Sequence, residues 1–428
     1  MAGALFRTLC GRIVLLLIAG IACRAGAPTQ PELRDPFFSS VPFARWQAEG
    51  KRRQIRWDVE FFPVELSVHQ RLLERVRIEI DHDPALEPVP RPLAVLIEYR
   101  DETGRVWQKH LLPDGEADPA RRETIVFGNA FVLPGRYRVS IAVFDPRTLE
   151  HSFVSSRIQA RAPARDPLPD AWDGLPAVEF LPARADAPDE WFLPSIATRL
   201  SLPLETRRPV RLDVFVNATP GGNMAGSTSA VRRNMGVLIP SLKVISQIEL
   251  RNGSLNVHLL DLVARSAPFE QNGVRVLDWP DLRRFFLESR PGIIDASALA
   301  GFWKMRTFLW DQVAAPAIAP RAGETHAVLI LSGPAFFSGQ DAPQTVALVR
   351  QENACLFYVR YRPFDPFARR SRAHPGARPF PERPLVRPLP DDELETAARK
   401  LNARVFDVTS PAEFRRVLAA IMAQIGQF

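Results

Sequence analysis

The side chains most able to do chemistry in this chain are its arginines. Arg362, Arg369, Arg370, Arg372, Arg378, Arg383 and Arg387 fall in one stretch, 362–390, among eight Pro and few acids. A guanidinium offers fixed N–H donors that match carboxylate and phosphate oxygens. Such a loop could take an acidic protein partner, a nucleic acid or anionic lipid headgroups, and the alternative is a disordered insertion. The other reactive residue types form no recognisable constellation. The seven His are scattered without His-Glu-x-x-His spacing. The sequence has no Gly-x-Ser-x-Gly elbow, no Gly-rich phosphate loop with Lys and no dinucleotide fingerprint after its first strand. His258 on a strand and His326 at a strand start read as satisfied structural residues. Cys355 lies in the apolar run Ala354-Cys355-Leu356-Phe357-Tyr358-Val359, which argues for a buried, inert thiol. No catalytic residue is assigned, and the expectation is a protein that is not an enzyme.

Charge and composition narrow the classes. The chain has 428 residues, 46% hydrophobic and 24% charged, which fits folded domains and excludes wholesale disorder, collagen-like structure and a polytopic membrane protein. Fifty-five basic against 48 acidic residues give a net charge of +7. No stripe of basic residues interleaved with aromatics accompanies that excess, so no specific nucleic acid is expected.

The first residues read as an address. Arg7 and Arg12, the apolar run Ile13 to Ala22 and the small residues behind it follow the order of a secretory signal, assigned to 1–27. The run is short for a bilayer span and no later stretch approaches twenty apolar residues, so the mature chain is expected to have no transmembrane helix. The protein is then exported, to the periplasm, the medium or the cell surface. Cys23, in Gly20-Ile21-Ala22-Cys23, is a candidate for lipidation, although Gly20 stands where lipoprotein signals usually have a large aliphatic residue. Ordinary cleavage near Ala22 or Ala25 is favoured. At most Cys23 and Cys355 remain after cleavage, too few for a disulfide framework.

The elements that must position these residues follow from hydrophobic periodicity. After an N-terminal segment, 28–54, residues 55–160 alternate in short runs such as Val64–Val68, Val76–Ile80, Leu93–Tyr99, Val106–Leu111, Thr124–Phe127 and Tyr137–Val143. They predict an antiparallel immunoglobulin-like β-sandwich. Residues 161–208 form a Pro-rich linker whose Trp172, Trp191 and Phe192 should pack on a neighbour. From 209 to 428 strands alternate with helices. The strands are Val210–Val216, Leu255–Val263, Val274–Leu277, His326–Leu331, Ala354–Arg360 and Ala403–Val408; the helices cover about 227–248, 279–287, 295–313, 391–401 and 411–425. Apolar strands between helices predict a mostly parallel sheet covered on both faces, a doubly wound α/β domain.

This second half resembles the von Willebrand factor A family, in the diverged branch found in exported acidobacterial proteins. The carriers are Val210 to Val216 ending in a polar turn, Val328 to Leu331 ending in Ser332-Gly333, and the run Ala397 to Val408 with Pro411 to Ile425 behind it. The resemblance implies a divalent metal at the C-terminal ends of the strands, held by an Asp-x-Ser-x-Ser turn, a Thr and a later Asp. Here the turn reads Asn217-Ala218-Thr219-Pro220-Gly221, Ser332 stands where the later Asp would be, and Asp295 falls near the second loop. With neutral oxygens replacing carboxylates, no tight metal is expected. Asn217, Thr219, Asp295 and Ser332 remain weak candidates for Mg2+ or Ca2+.

The sequence thus predicts an exported recognition, adhesion or scaffold module. It would bind a protein partner, an acidic one in one reading, through the strand-end face and through Arg369, Arg370, Arg372, Arg378 and Arg383. The alternatives are a hydrolase whose residues converge only in three dimensions and a structural spacer with a vestigial second domain. The sequence does not determine the oligomeric state.

Overall fold

Alternation of apolar and polar residues carries most of the described first half of the chain into strands. The computed structural model describes residues 32–81, 92–112, 123–181, 198–218, 228–262, 264–289, 307–309, 311–312, 323–334, 354–362 and 392–428. In the first half these form helix α1 (Phe43–Glu49) and strands β1 (Arg52–Arg53), β2 (Trp57–Phe61), β3 (Glu65–Leu66), β4 (Leu72–Glu74), β5 (Val76–Asp81) and β6 (Ala94–Asp101). Strands β7 (Val106–Leu111), β8 (Glu123–Phe127), β9 (Ala130–Val132), β10 (Gly135–Phe144), β11 (His151–Ala160) and β12 (Val178–Phe180) follow. The five-stranded sheet runs β1-β11-β10-β6-β7, and its pairs are antiparallel.

Opposite it lie the sheets β2-β5-β8 and β12-β9-β4-β3. They follow one another along the same chain segments, because only Arg75 separates β4 from β5 and only Gly128-Asn129 separate β8 from β9. Gly128 is required at that break: a Cβ there would lie 2.3 Å from Ile97 Cδ1 in the facing sheet. Between the layers, Val95, Ile97, Val139 and Ile141 pack with Val76, Ile78, Ile80, Val126 and Val132 in one apolar core.

Strand β6 is apolar on both faces, which period-two reasoning alone leaves unexplained. Its outward residues Ala94 and Leu96 are covered, with Ala142, Phe144 and Phe153, by Phe38, Phe43 and Trp46 of the N-terminal segment. Asp35 fixes that segment by accepting hydrogen bonds from the His110 and Phe37 backbone N–H groups. The run Val64–Val68 pairs only over Glu65–Leu66, because Ser67 to Arg71 close a turn in which Ser67 N–H donates to Arg71 O and Gln70 has φ +60°.

One acid is buried between the layers. Glu74 is 0% exposed and accepts a short hydrogen bond from the Tyr99 hydroxyl. Burial pushes its carboxyl up to about 8, against smaller opposing contributions from Tyr99 and Arg75.

The second half contains β13 (Leu202–Leu204), β14 (Val210–Asn217), α2 (Thr228–Ile245), β15 (Ile248–Leu250), β16 (Gly253–Asp261), β17 (Ser266–Val274) and α3 (Trp279–Ser289). Then come β18 (Thr325–Ser332), β19 (Ala354–Tyr361), α4 (Glu393–Lys400), β20 (Arg404–Val408) and α5 (Pro411–Ile425). The six-stranded sheet is ordered β17-β16-β14-β18-β19-β20, parallel except for the antiparallel edge strand β17. Gly253 starts β16 against β14, where a Cβ would meet Val210 O at 2.2 Å. One sheet face, with Val214, Val216 and Val359, joins the same core cluster as Leu238 and Leu242 of α2 and Phe414 and Leu418 of α5. The other, with Phe215, Val328, Ile330 and Tyr358, packs against Leu309 and against Leu394 and Ala398 of α4. The run Val274–Leu277, expected as a strand, contributes only Val274 to β17; Val276 is 60% exposed and Leu277 leads into α3.

The Pro-rich stretch 161–208 is built into both halves where it is described. Strand β12 pairs with β9 and β13 pairs with β15. Trp172, expected to pack down, is buried and donates its indole N–H to Gln70 O at 2.7 Å. Arg415 of α5, 1% exposed, donates to Asp166 from Nε (2.6 Å) and Nη2 (2.8 Å), donates to Leu168 O, and lies 4.7 Å over the Trp172 ring. Gln70 Nε2 donates to Pro411 O at 3.1 Å. A buried ion pair and an aromatic stack therefore tie the last helix to the first half.

Candidate functional site

Strands β14, β18 and β19 are apolar along most of their length and turn polar where they end. Parallel pairing puts Ser332 beside Arg360 and Arg360 beside Asp407. Asn217 closes β14 next to Ser332, and side-chain alternation sets all four on the face that carries Phe215, Ile330 and Tyr358. The sheet thereby collects Asn217, Ser332, Arg360 and Asp407 into a row across its C-terminal edge, the usual ligand-binding edge of such sheets.

At one end of the row the groups are neutral. Asn217 Nδ2 donates to Ser332 Oγ at 2.9 Å, and Ser332 Oγ donates to Gly333 O at 2.6 Å. Asn234 of α2 donates from Nδ2 to Asn217 O at 3.3 Å. Both Asn217 and Ser332 are buried. This pair does not suit the divalent metal that the sequence resemblance implies. A hard cation wants carboxylate oxygens, and here an amide N–H is turned onto the hydroxyl that would have to ligate. Among the described residues no group of three or more His, Cys, Asp or Glu is arranged to hold a metal ion.

At the other end the row is ionic. Arg360, 6% exposed, donates from Nε to Asp407 Oδ1 (2.6 Å) and from Nη1 to Asp392 Oδ2 (3.2 Å), and makes a short contact with Glu395. Asp392 Oδ1 also accepts from Leu394 N–H at the start of α4, and Tyr358 OH lies 3.1 Å from Asp392 Oδ2. Arg362 contacts Asp407 at 3.2 Å and Arg399 contacts Glu395 at 2.7 Å. Burial opposes ionisation of Glu395, but Arg399 and Arg360 hold its carboxyl below the usual range. Arg360 does the same for Asp407, with Arg362 adding to it against a smaller effect of burial.

Deeper on the same face lies a polar group that sequence reasoning missed. Asp213, 0% exposed, accepts from Asn256 Nδ2 at 2.6 Å, makes a short hydrogen bond with His326 Nε2 and lies 3.1 Å from Arg211 Nε. His258 stacks on Phe215 at 4.6 Å, its Nδ1 lies 3.1 Å from Glu270 Oε1, and its Nε2 is a charge neighbour of Asp213 at 3.8 Å. Burial would raise the Asp213 carboxyl, yet the two histidines and Asn256 hold it well below its ordinary value. Burial would lower His258, yet Asp213 and Glu270 raise it. The available signal was an acid in the middle of the strand Val210–Val216, which apart from Arg211 is otherwise apolar. Both His326, 1% exposed, and Asp213 sit beneath the surface, so the couple resembles a buried structural pair more than a nucleophile's base.

Of the candidates read from sequence, the fold brings Asn217 and Ser332 into direct contact. Thr219, Asp295, Arg369, Arg370, Arg372, Arg378, Arg383 and Cys23 lie outside the described residues, as does the whole of 1–27. Arg360, Asp392, Glu395 and Asp407 were not foreseen, since their convergence depends on which strands pair. Cys355 is buried, and burial pushes its thiol up to about 12, which makes it a poor nucleophile. Among the described residues no helix is long and apolar enough to cross a membrane.

No family model matches the chain, and no curated protein matches it. Among solved structures, Northeast Structural Genomics Consortium target SoR45 is 13% identical, with 26% of this chain and 92% of that one covered and a TM-score of 0.16. A Parabacteroides merdae β-glucuronidase is 10% identical, with 63% of this chain covered and a TM-score of 0.16; the match spans 33% of the enzyme's length. Neither likeness bears on the chemistry of this chain.

Proposed function

We propose that this is an exported, non-catalytic recognition protein. In this reading an immunoglobulin-like β-sandwich precedes a doubly wound, von Willebrand factor A-like domain, which binds an acidic protein partner at the C-terminal ends of its parallel strands. The strand order, with the earliest long strand at the centre and a single antiparallel edge, supports the α/β part. Helices on both faces of the sheet support it too.

The row Asn217, Ser332, Arg360 and Asp407 carries the functional part. Its polar groups are spent on one another and Asn217, Ser332 and Arg360 are buried, so the row braces the strand ends and holds no nucleophile with a base in reach. The chain leaves this row after Arg362 and returns to it at Asp392, and the intervening 363–391 holds six Arg against Asp365, Glu382 and Asp391. That excess of positive charge favours a partner rich in Asp and Glu.

The test uses the mature chain and a variant lacking 369–387, each titrated with immobilised poly-L-glutamate, a DNA duplex and phosphatidylglycerol vesicles. Binding to the acidic polypeptide should weaken by about tenfold or more in the deletion, falling further with salt, while the melting temperature stays unchanged. Equal binding by both proteins would remove the loop from the reading, and a preference for DNA or vesicles would replace the acidic partner.

A further inference from the structure

We infer that the outward face of the five-stranded sheet carries a binding site for an anionic polysaccharide, built on Arg138 and Arg157 with Arg100 beside them. The strand register sets the three in one row: Arg138 of β10 faces Arg157 of β11 across one ladder and Arg100 of β6 across the other. All three point away from the core, since Val139 and Ile141 of β10 and Ile97 and Tyr99 of β6 fill the space between the layers. Like charges directly opposite one another destabilise a sheet, so the fold itself gives no reason for this row. A bound anion reverses the sign.

The row is open to a ligand. Phe38, Phe43 and Trp46 of the N-terminal segment cover part of this face, and the cover ends at Gln47, whose Nε2 donates to Glu98 Oε1 at 2.8 Å and reaches Ser140 Oγ at 3.4 Å. Arg138 and Arg157 lie one step beyond and are exposed. Glu98, diagonal to Arg138, is buried and already accepts from Gln47, Gln108 and Arg100, while Glu102 serves Arg136. Among the described residues no carboxylate pairs with Arg138 or Arg157.

Neighbouring strands lie about 4.8 Å apart, so guanidiniums from opposed positions reach one carboxylate or sulfate between them, each with paired N–H groups. Arg136 repeats the charge two residues earlier on the same face, and Arg161 donates to Gln159, which stands opposite Arg136. The charge thus continues along the strands, as a polymer requires and a single ion does not. Ser155 and Gln159 beside the arginines supply partners for sugar hydroxyls. Other polyanions fit less well. Strand β10 has both backbone edges paired, with β6 and β11, so an acidic peptide finds no edge to extend. A broad sheet face does not enter a nucleic-acid groove, and no aromatic side chain stands in the row to stack a base. This site is separate from the strand-end face of the second half, and its failure leaves the function proposed above untouched.

The experiment titrates the full mature chain with a short heparin oligosaccharide, with uncharged dextran, poly-L-glutamate and a single-stranded oligonucleotide as comparisons. Arg138→Thr/Arg157→Thr replaces the pair with strand formers, and its melting temperature in low salt should equal or exceed the parent's because the like-charge contact is gone. Arg207→Thr/Arg251→Thr removes the same charge from exposed positions elsewhere. Heparin binding should weaken about tenfold or more in the first variant and less than about twofold in the second, and dextran should not bind either. The variant lacking 369–387 should keep the part that depends on Arg138 and Arg157, which separates this site from the Arg-rich stretch. The inference is overturned if the Arg138/Arg157 variant binds heparin as the parent does or if the charge-matched variant loses as much. It is also overturned if poly-L-glutamate or the oligonucleotide binds more tightly than heparin and depends on the same pair.

Discussion

Replacing Glu74 with Gln should remove a loss of stability that sets in as pH rises from 4.5 to about 8. The carboxyl is 0% exposed between two apolar layers, and its partner is the Tyr99 hydroxyl rather than a cation. Its folded value of about 8 lies above the ordinary 4.5, so the native state holds the proton more tightly than the unfolded chain does. The contribution is therefore complete below pH 4.5, declines between 4.5 and about 8, and is gone above that. Each pH unit in this window is worth about 1.4 kcal/mol, so the window as a whole costs about 5 kcal/mol. Glu74→Gln keeps the shape and cannot ionise. At pH 5 it should lie within about 1–2 kcal/mol of the parent, since one amide group replaces one neutral acid. At pH 8 it should be the more stable protein, and the change in the difference between the two pH values should be about 4 kcal/mol. Urea denaturation followed by tryptophan fluorescence at pH 5, 6, 7 and 8 measures that change. Taking the difference between variants cancels distant groups such as His258, whose raised value adds its own decline with pH. A change below about 1 kcal/mol would refute the claim that Glu74 is kept neutral by burial.

Two further outcomes follow from buried charges near the junction of the halves. Arg415→Met should cost about 3–5 kcal/mol, because Asp166 loses its bidentate partner, and calorimetry should show the two halves melting apart; a single unshifted transition would count against the junction. Lys243, 8% exposed, is pushed down to about 8 by burial, so stability should rise as pH increases from about 8 towards 10.5, where the unfolded chain still binds the proton and the native state does not. Lys243→Met should abolish that rise in denaturation series at pH 8, 9 and 10.

Part of this was legible in the residues. Strand β5, read as Val-Arg-Ile-Glu-Ile-Asp, buries its alternate positions as the pattern requires. Helix α5 begins where Ser410, Pro411 and Glu413 say it should: Ser410 Oγ accepts from Glu413 N–H, and Glu413 accepts from Thr409 N–H. These features depend on neighbours a few residues apart, and the sequence states such neighbours directly. The covering of β6 by Phe43 and Trp46 was not legible, since a second buried face looks the same in sequence whatever buries it.

The sequence by itself determined the local periods, the caps, the excess of arginine and the neutral side chains at Asn217 and Ser332. Tertiary structure decided which of these groups meet. Arg360 lies among Asp392, Glu395 and Asp407 because β19 pairs with β20 in one register and α4 starts beside them. Asp213 lies between His258 and His326 because β14 has β16 on one side and β18 on the other. Electrostatic energy depends on separation through space and on burial, and a linear string carries neither.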